Sequence, residues 1–267
     1  MPEGHTIHRA ARHLRELLSG PPVHATSPQG RFATGAASID GLELTSSEAV
    51  GKHLLLGFGE PRERLLHVHL GLYGKWQTGH GEPPEPKGAL RLRLQTPEAW
   101  ADLRGPTACE IYDPEQRRLL VARLGPDPLR RDADPERAWA RISRTTTSIG
   151  ALLMDQSTLA GVGNVYRAEV LFRARIDPLR PGKAVTRDEW LAMWADLVTL
   201  LRAGVRAGRI VTTLPEHRAR RSGRARQEDA HYVYRRTGLP CRICGTPVLT
   251  APLLARNLYW CAVCQAA

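Results

Sequence analysis

The sequence predicts an α+β multidomain chain: an N-terminal helix and a β-sandwich, then a helical region, then a small cysteine-held module. Three patterns carry this. Apolar residues recur at helical spacing over residues 2–19, and short alternating runs fill roughly 22–125. Helical spacing returns after Gly125-Pro126-Asp127-Pro128, before the chain closes on Cys241-x2-Cys244-x16-Cys261-x2-Cys264. With 267 residues and 42% hydrophobic side chains, the chain can bury a proper core and divide into two domains plus an appendage.

The first helix is expected over 2–19, with Pro2 in its first turn, Ile7, Ala10, Ala11, Leu14, Leu17 and Leu18 on one face, and Gly20 as stop. Runs such as 64–70 and 89–94 alternate as strands do, and the prolines of 82–88 mark a loop. Asp134-Pro135 caps a helix through Ile142, and Thr186-Arg187-Asp188-Glu189 is a capping box opening a helix through Trp190, Met193, Trp194, Leu197 and Leu201. Between them, 149–154 and 165–173 flank the turn Leu159-Ala160-Gly161-Val162-Gly163-Asn164 as a helix-turn-helix-like unit. Residues 217–226 carry five arginines without apolar periodicity and predict a mobile basic loop.

The 38 Lys and Arg exceed the 27 Asp and Glu, for a net charge of +11 and a pI near 10.0. A GC-rich genome writes a similar composition, but the clustering of arginine favours a polyanionic partner, nucleic acid above all. No apolar run approaches the roughly 20 residues of a membrane span and no signal-peptide pattern precedes the first helix, so no membrane association and a cytoplasmic address are expected. Four of the five cysteines fall in metal-type pairs and Cys109 stands alone, which is not a disulfide framework.

The paired motifs of Cys241, Cys244, Cys261 and Cys264 predict one closed, structural Zn2+ site that supplies most of the folding energy of a module too short for its own core. Pro2 becomes a secondary amine once Met1 is trimmed. An α-amino group has a pKa of about 8, so a useful fraction is neutral and nucleophilic near pH 7. Attack on an aldehyde or aminal carbon gives a cationic iminium, an electron sink, with Glu3 beside it as a general acid or base. The turn 161–164 offers backbone N–H groups at a helix start, which suits a phosphate or an ordinary helical hairpin, with Asn164 as cap or ligand contact. His67 and His69 share a strand face, but with no carboxylate or third histidine at ligand spacing a core or rim role is expected.

Taken together, Met1-Pro2-Glu3-Gly4, Gly51-Lys52-His53-Leu54-Leu55, residues 159–169 and the terminal cysteine module resemble the formamidopyrimidine-DNA glycosylase and endonuclease VIII family. The motifs occur in that family's order along essentially the whole chain. Leu72-Tyr73-Gly74 and the segment 256–261 look more like the endonuclease VIII branch, and the opening 4–9 resembles an actinobacterial subgroup of it. The resemblance implies a catalytic helix and sandwich over 1–126, a helix-two-turn-helix domain with the basic loop over 127–230, and a zinc-finger hairpin over 231–267. It implies a bifunctional glycosylase and lyase that excises oxidised bases, pyrimidines preferred, from duplex or single-stranded DNA as a monomer.

By motif, Pro2 is the implied Schiff-base nucleophile, Glu3 the acid for glycosidic cleavage, Lys52 a phosphate contact with a part in β-elimination, and Arg256 the finger arginine of δ-elimination. Arg123 and Asn164 are implied DNA contacts, and Leu72 and Tyr73 the wedge that fills the gap left by an extruded base. His5-Thr6 replaces the family's usual Pro-Glu, and Gly71 stands where endonuclease VIII carries a DNA-contacting glutamine. An oxidised-purine glycosylase of the same family, or a non-catalytic damaged-DNA-binding protein, are the alternatives.

Overall fold

A computed structural model describes residues 2–60 and 64–266. The chain divides into two compact units, 1–123 and 124–267. In the first, helix α1 (Gly4–Leu18) buries Ile7, Ala11, Leu14 and Leu18. It starts two residues later than its apolar spacing suggested. Glu3 is its N-cap in extended conformation, so Pro2 lies outside the helix rather than in its first turn.

Eight antiparallel strands follow: β1 (Pro22–Thr26), β2 (Leu42–Val50), β3 (His53–Phe58), β4 (Arg64–His69), β5 (Lys75–His80), β6 (Leu90–Gln95), β7 (Ala99–Arg104) and β8 (Ala108–Tyr112). Their order, β5-β7-β6-β1-β2-β3-β4-β8, is the predicted sandwich: two four-stranded layers whose strands, among the described residues, pair with each other where Pro22 and Val23 of β1 meet Glu43 and Leu42 of β2. Leu54, Leu56, Leu66, Val68, Leu92, Leu94, Ala101 and Leu103 fill the core together with the apolar face of α1.

Two helices occur where only strands were expected. Helix α2 (Ala33–Ile39) is short and has no side-chain cap, so it leaves little trace in the sequence. Helix α3 (Pro114–Ala122) does carry a signal, a reciprocal capping box in which Asp113 Oδ1 accepts from Gln116 N at 2.7 Å and Gln116 Oε1 from Asp113 N at 2.8 Å. It packs on β4 and β8.

In the second unit, α4 (Pro135–Ile142) and α7 (Arg187–Ala207) begin at the predicted caps, Asp134 and Thr186. The first partner of the helix-turn-helix-like unit is a single turn, α5 (Ile149–Leu152), and the second is α6 (Asn164–Arg173), which is buried from Asn164 to Phe172. A hairpin of β9 (Leu249–Leu253) and β10 (Arg256–Trp260) packs against α6. No helix among the described residues is long and apolar enough to cross a membrane.

Candidate active site

The first unit presents five of the predicted positions, Glu3, Lys52, Leu72, Tyr73 and Arg123, on turns and helix ends. Glu3 is 1% exposed and occupies the N-cap without its side chain capping the helix, which sets a buried carboxylate one residue from the Pro2 nitrogen. Just inside the helix, His5 is also buried, and burial pushes its imidazole down to about 4, so it is neutral near pH 7. The sequence marked this position only as a departure from the family pattern.

Helix α1 packs on β2 and β3, and Ser47 Oγ donates to the Ala11 carbonyl at 2.7 Å. The hairpin of these two strands turns at Gly51-Lys52, where Gly51 takes φ +60° as a type II′ turn asks of its first residue. Lys52 thus sits at the tip of a rigid two-residue turn. Arg123 is the exposed C-cap of α3.

The turn between β4 and β5 carries Leu72 and Tyr73, the latter 87% exposed. Glycine is required on both sides of them. A Cβ on Gly74 would stand 2.2 Å from the Leu70 carbonyl oxygen; one on Gly71, which has φ +65°, would stand 1.8 Å from Thr107 Oγ1. A glutamine at 71 would have to hold a left-handed backbone and displace the Thr107 side chain.

His67 is buried, and the metal-capable group among the described residues is the cysteine set rather than these histidines, in keeping with the core or rim role expected of His67 and His69. The register of β3, β4 and β8 brings in both the third histidine and the carboxylate that sequence spacing did not show. His53 stands opposite His69, and His67 opposite Glu110. His53 Nδ1 lies 2.9 Å from His67 Nε2, and His67 Nδ1 lies 3.4 Å from Glu110 Oε2. The His67 ring stacks between His53 and Tyr112, and His53 also leans on His69. Burial first, then the neighbouring histidines and the charges of Arg123 and Lys52, push the His53 imidazole down to about 3. Burial likewise lowers His67 and His69.

In the second unit, Asn164 is the first residue of α6 and Gly163 its N-cap, so the side chain is a contact rather than a cap. Its amide nitrogen donates to the Asn257 carbonyl at 3.0 Å while its oxygen accepts from Arg167, and Arg167 also reaches the Asn257 carbonyl at 3.3 Å. Arg256 precedes that anchored residue on β10, exposed, just after a two-residue turn in which Leu254 and Ala255 both take positive φ. Asn164 and Arg167 are therefore joined, through one carbonyl, to the residue that follows Arg256.

Sequence reasoning missed Glu169. Fully buried on α6, its carboxylate accepts from Val233 N at 2.9 Å and Tyr234 N at 2.8 Å on one oxygen, and from Tyr232 N at 2.7 Å and the Thr212 hydroxyl on the other. It ties α6 to the strand of chain that enters the cysteine module. Hydrogen bonds join part of the basic loop to its flank. Arg218 Nε donates to Thr213 Oγ1 at 2.9 Å and Arg209 reaches the Ala225 carbonyl at 2.6 Å, while Arg220, Arg221 and Arg224 remain exposed.

The four module cysteines converge, with all Sγ atoms within 4.8 Å of one another. Cys241 and Cys264 are 3.8 Å apart and Cys244 and Cys261 3.4 Å. A tetrahedron with metal–sulfur bonds of about 2.3 Å sets its sulfurs about 3.8 Å apart, so the set fits a closed tetrahedral metal site. Backbone N–H groups of Ile243 and Cys264 point at Cys241 and Cys261 Sγ, each at 3.5 Å, as suits thiolates. Cys109 is apart from this, its thiol pushed up by burial to about 12.

Residues 1–109 match the formamidopyrimidine-DNA glycosylase N-terminal domain, and residues 124–216 the H2TH domain of the same glycosylase. Endonuclease 8 1 of Mycobacterium tuberculosis is 50% identical over 270 residues, which cover 99% of this chain and 100% of that protein. The chain belongs to the formamidopyrimidine-DNA glycosylase and endonuclease VIII family. Its members are DNA glycosylases of base excision repair, and this chain is one of them. The formamidopyrimidine-DNA glycosylase of Thermus thermophilus is 30% identical over 276 residues, 99% of this chain and 98% of that one. The fold is that of Lactococcus lactis Fpg in complex with a Fapy-dG containing DNA, with a TM-score of 0.81 at 21% identity over the full length of both chains. MutM in complex with carbocyclic 8-oxo-G containing DNA matches with a TM-score of 0.82 at 20% identity, again over both full lengths.

Proposed function

We propose that this chain is a bifunctional DNA glycosylase and lyase that uses the Pro2 nitrogen as nucleophile and acts preferentially on oxidised pyrimidines. The observation that carries the reading is the buried Glu3 carboxylate at the N-cap of α1, one residue from a proline held outside the helix. With Met1 removed, the Pro2 amine attacks C1′ of the damaged nucleotide. The glycosidic bond breaks, and Glu3 supplies the proton that the departing base needs.

Cleavage of the C1′–O4′ bond, with a proton passing to O4′, opens the sugar and leaves an iminium at C1′, which acidifies the C2′ hydrogens. Loss of one breaks the C3′–O bond in β-elimination, with the Lys52 ammonium at the phosphate that leaves. Arg256 serves the second, δ-elimination from the C5′ side. Leu72 and the exposed Tyr73 fill the stack in place of the extruded base, which must leave the helix because its C1′ is unreachable inside a duplex. Arg123 and Asn164 hold backbone phosphates. Zn2+ is the ion for the four thiolates, in a structural role that holds the hairpin bearing Arg256. A monomer on damaged DNA suffices.

The 50% identity to a mycobacterial endonuclease 8 supports placing the chain in the endonuclease VIII branch, and the preference for oxidised pyrimidines is the expectation that goes with that branch. Borohydride trapping on duplexes carrying thymine glycol, dihydrouracil, 8-oxoguanine or a bare abasic site tests this. Adducts with the two pyrimidine lesions are expected. Adducts only with 8-oxoguanine would move the reading to purines, and adducts with none of the four would leave a protein that binds DNA without reacting.

A further inference from the structure

The reaction above uses Lys52 but leaves unexplained why the next residue begins a chain of hydrogen-bonded polar groups that runs through a buried histidine to an exposed carboxylate. His53, His67 and Glu110 lie on one face of three neighbouring strands, β3, β4 and β8, and β8 is the edge of its layer. The alternate residues Leu54, Leu56, Leu66 and Val68 face the core, so the histidines occupy the opposite side, where α3 packs on β4 and β8. The His67 side chain is 3% exposed and that of Glu110 is 56%.

The hydrogen bonds fix which nitrogen carries each proton. A carboxylate only accepts, so His67 Nδ1 holds the proton directed at Glu110 Oε2, and His67 Nε2 is left to accept. His53 Nδ1 must then donate to His67 Nε2, which leaves His53 Nε2 as a bare lone pair. His69 is set independently: its Nδ1 accepts from Gly71 N–H at 3.2 Å, so its Nε2 carries a proton and offers a donor.

The charged and titratable groups around His53 are Lys52 on its own turn, His67 and His69 on β4, Glu110 and Tyr112 on β8, and Arg123 at the end of α3. Two of these are cations that gain from a neutral acceptor. A carboxylate in the same place would also orient a lysine, but it would cancel the charge that a phosphate needs.

We propose that Glu110, His67 and His53 form a tautomer-setting chain whose end, His53 Nε2, accepts from the Lys52 ammonium and orients it for strand cleavage while leaving its full charge to the phosphate. All three are positioning residues. The logic is that of a carboxylate that fixes the tautomer of a histidine in a catalytic triad, extended by one ring. Nothing is consumed, and no proton need leave the chain. The inference rests on the lyase reading for Lys52 but makes a claim about the unliganded protein as well.

Two readouts test it. In the folded, zinc-loaded protein, 15N spectra of the histidine rings are expected to show His67 and His53 each protonated on Nδ1. Protonation of His67 on Nε2 overturns the chain. In single-turnover cleavage of an abasic duplex, Glu110→Gln removes the bias, because an amide presents either an acceptor or a donor to His67. His67→Phe removes the relay and keeps a ring against Tyr112.

Each variant is expected to cleave roughly tenfold more slowly, with duplex affinity within about twofold of the parent and partial recovery in Glu110→Asp. Glu110 is largely exposed, so its variants fold even if His67→Phe does not. Cleavage at the parent rate in Glu110→Gln, or cleavage and affinity falling by the same factor, overturns the proposal. A parent that neither cleaves nor traps overturns the lyase reading instead, and the ring spectra then still decide the tautomers.

Discussion

Replacing Glu169 by glutamine changes one oxygen to an NH2 group in a site that holds four donors. If the amide nitrogen faces Val233 and Tyr234, two backbone N–H groups lose their acceptor. If it faces Thr212 and Tyr232, the hydroxyl can turn to accept, since it already reaches the Ala230 carbonyl at 3.1 Å, and only Tyr232 N–H is orphaned. The second arrangement is the cheaper. An orphaned buried N–H costs about 1–3 kcal/mol, and each of the two bonds that remain loses roughly 1 kcal/mol when its acceptor is no longer charged. The sum is about 3–5 kcal/mol. Hydrogen exchange of the amides of Tyr232, Val233 and Tyr234 reads it directly, because these protons exchange only when the clamp opens. Exchange at least about a hundredfold faster than in the parent is expected, with a lower denaturation midpoint. Exchange within about threefold of the parent would refute the clamp as a source of stability.

Three further outcomes follow from the site. Gly71→Gln restores the glutamine of endonuclease VIII in sequence but collides with Thr107 at positive φ, so thermal melting is expected to fall rather than DNA affinity to rise; a stable variant that binds more tightly would contradict the steric account. Cys244→Ser, or a strong chelator, removes one of four converging thiolates or the metal itself, and is expected to unfold the β9–β10 hairpin and weaken DNA binding strongly, with full binding and unchanged circular dichroism as the contrary result. Arg256→Ala is expected to lower affinity and δ-elimination together and to reduce the salt slope by roughly 1; an unchanged slope would show that this side chain neutralises no phosphate.

Much of this architecture was legible because the local signals are strong. Asp134 and Thr186 cap the helices they announce, the alternating runs are strands, and the two CxxC pairs bring four sulfurs together. What escaped depends on register. His53, His67 and Glu110 are 14 and 43 residues apart, and only the pairing of β3 with β4 and of β4 with β8 makes them neighbours. Glu169 escaped for a related reason: its partners are backbone amides more than 60 residues away, and backbone groups carry no sequence signature. The start of α1 was misplaced because proline suits a first helical turn and also the position before an N-cap, and the apolar spacing is the same in both cases.

The central claim is that the Pro2 nitrogen, released by removal of Met1, is the group that reacts. Peptide mapping of the borohydride-reduced protein–DNA adduct measures this directly. The account predicts the sugar remnant on the N-terminal nitrogen of a peptide that begins at Pro2, and loss of most of the adduct in Pro2→Gly with duplex affinity nearly intact. An adduct on a lysine side chain, or efficient trapping by protein that retains Met1, would contradict it.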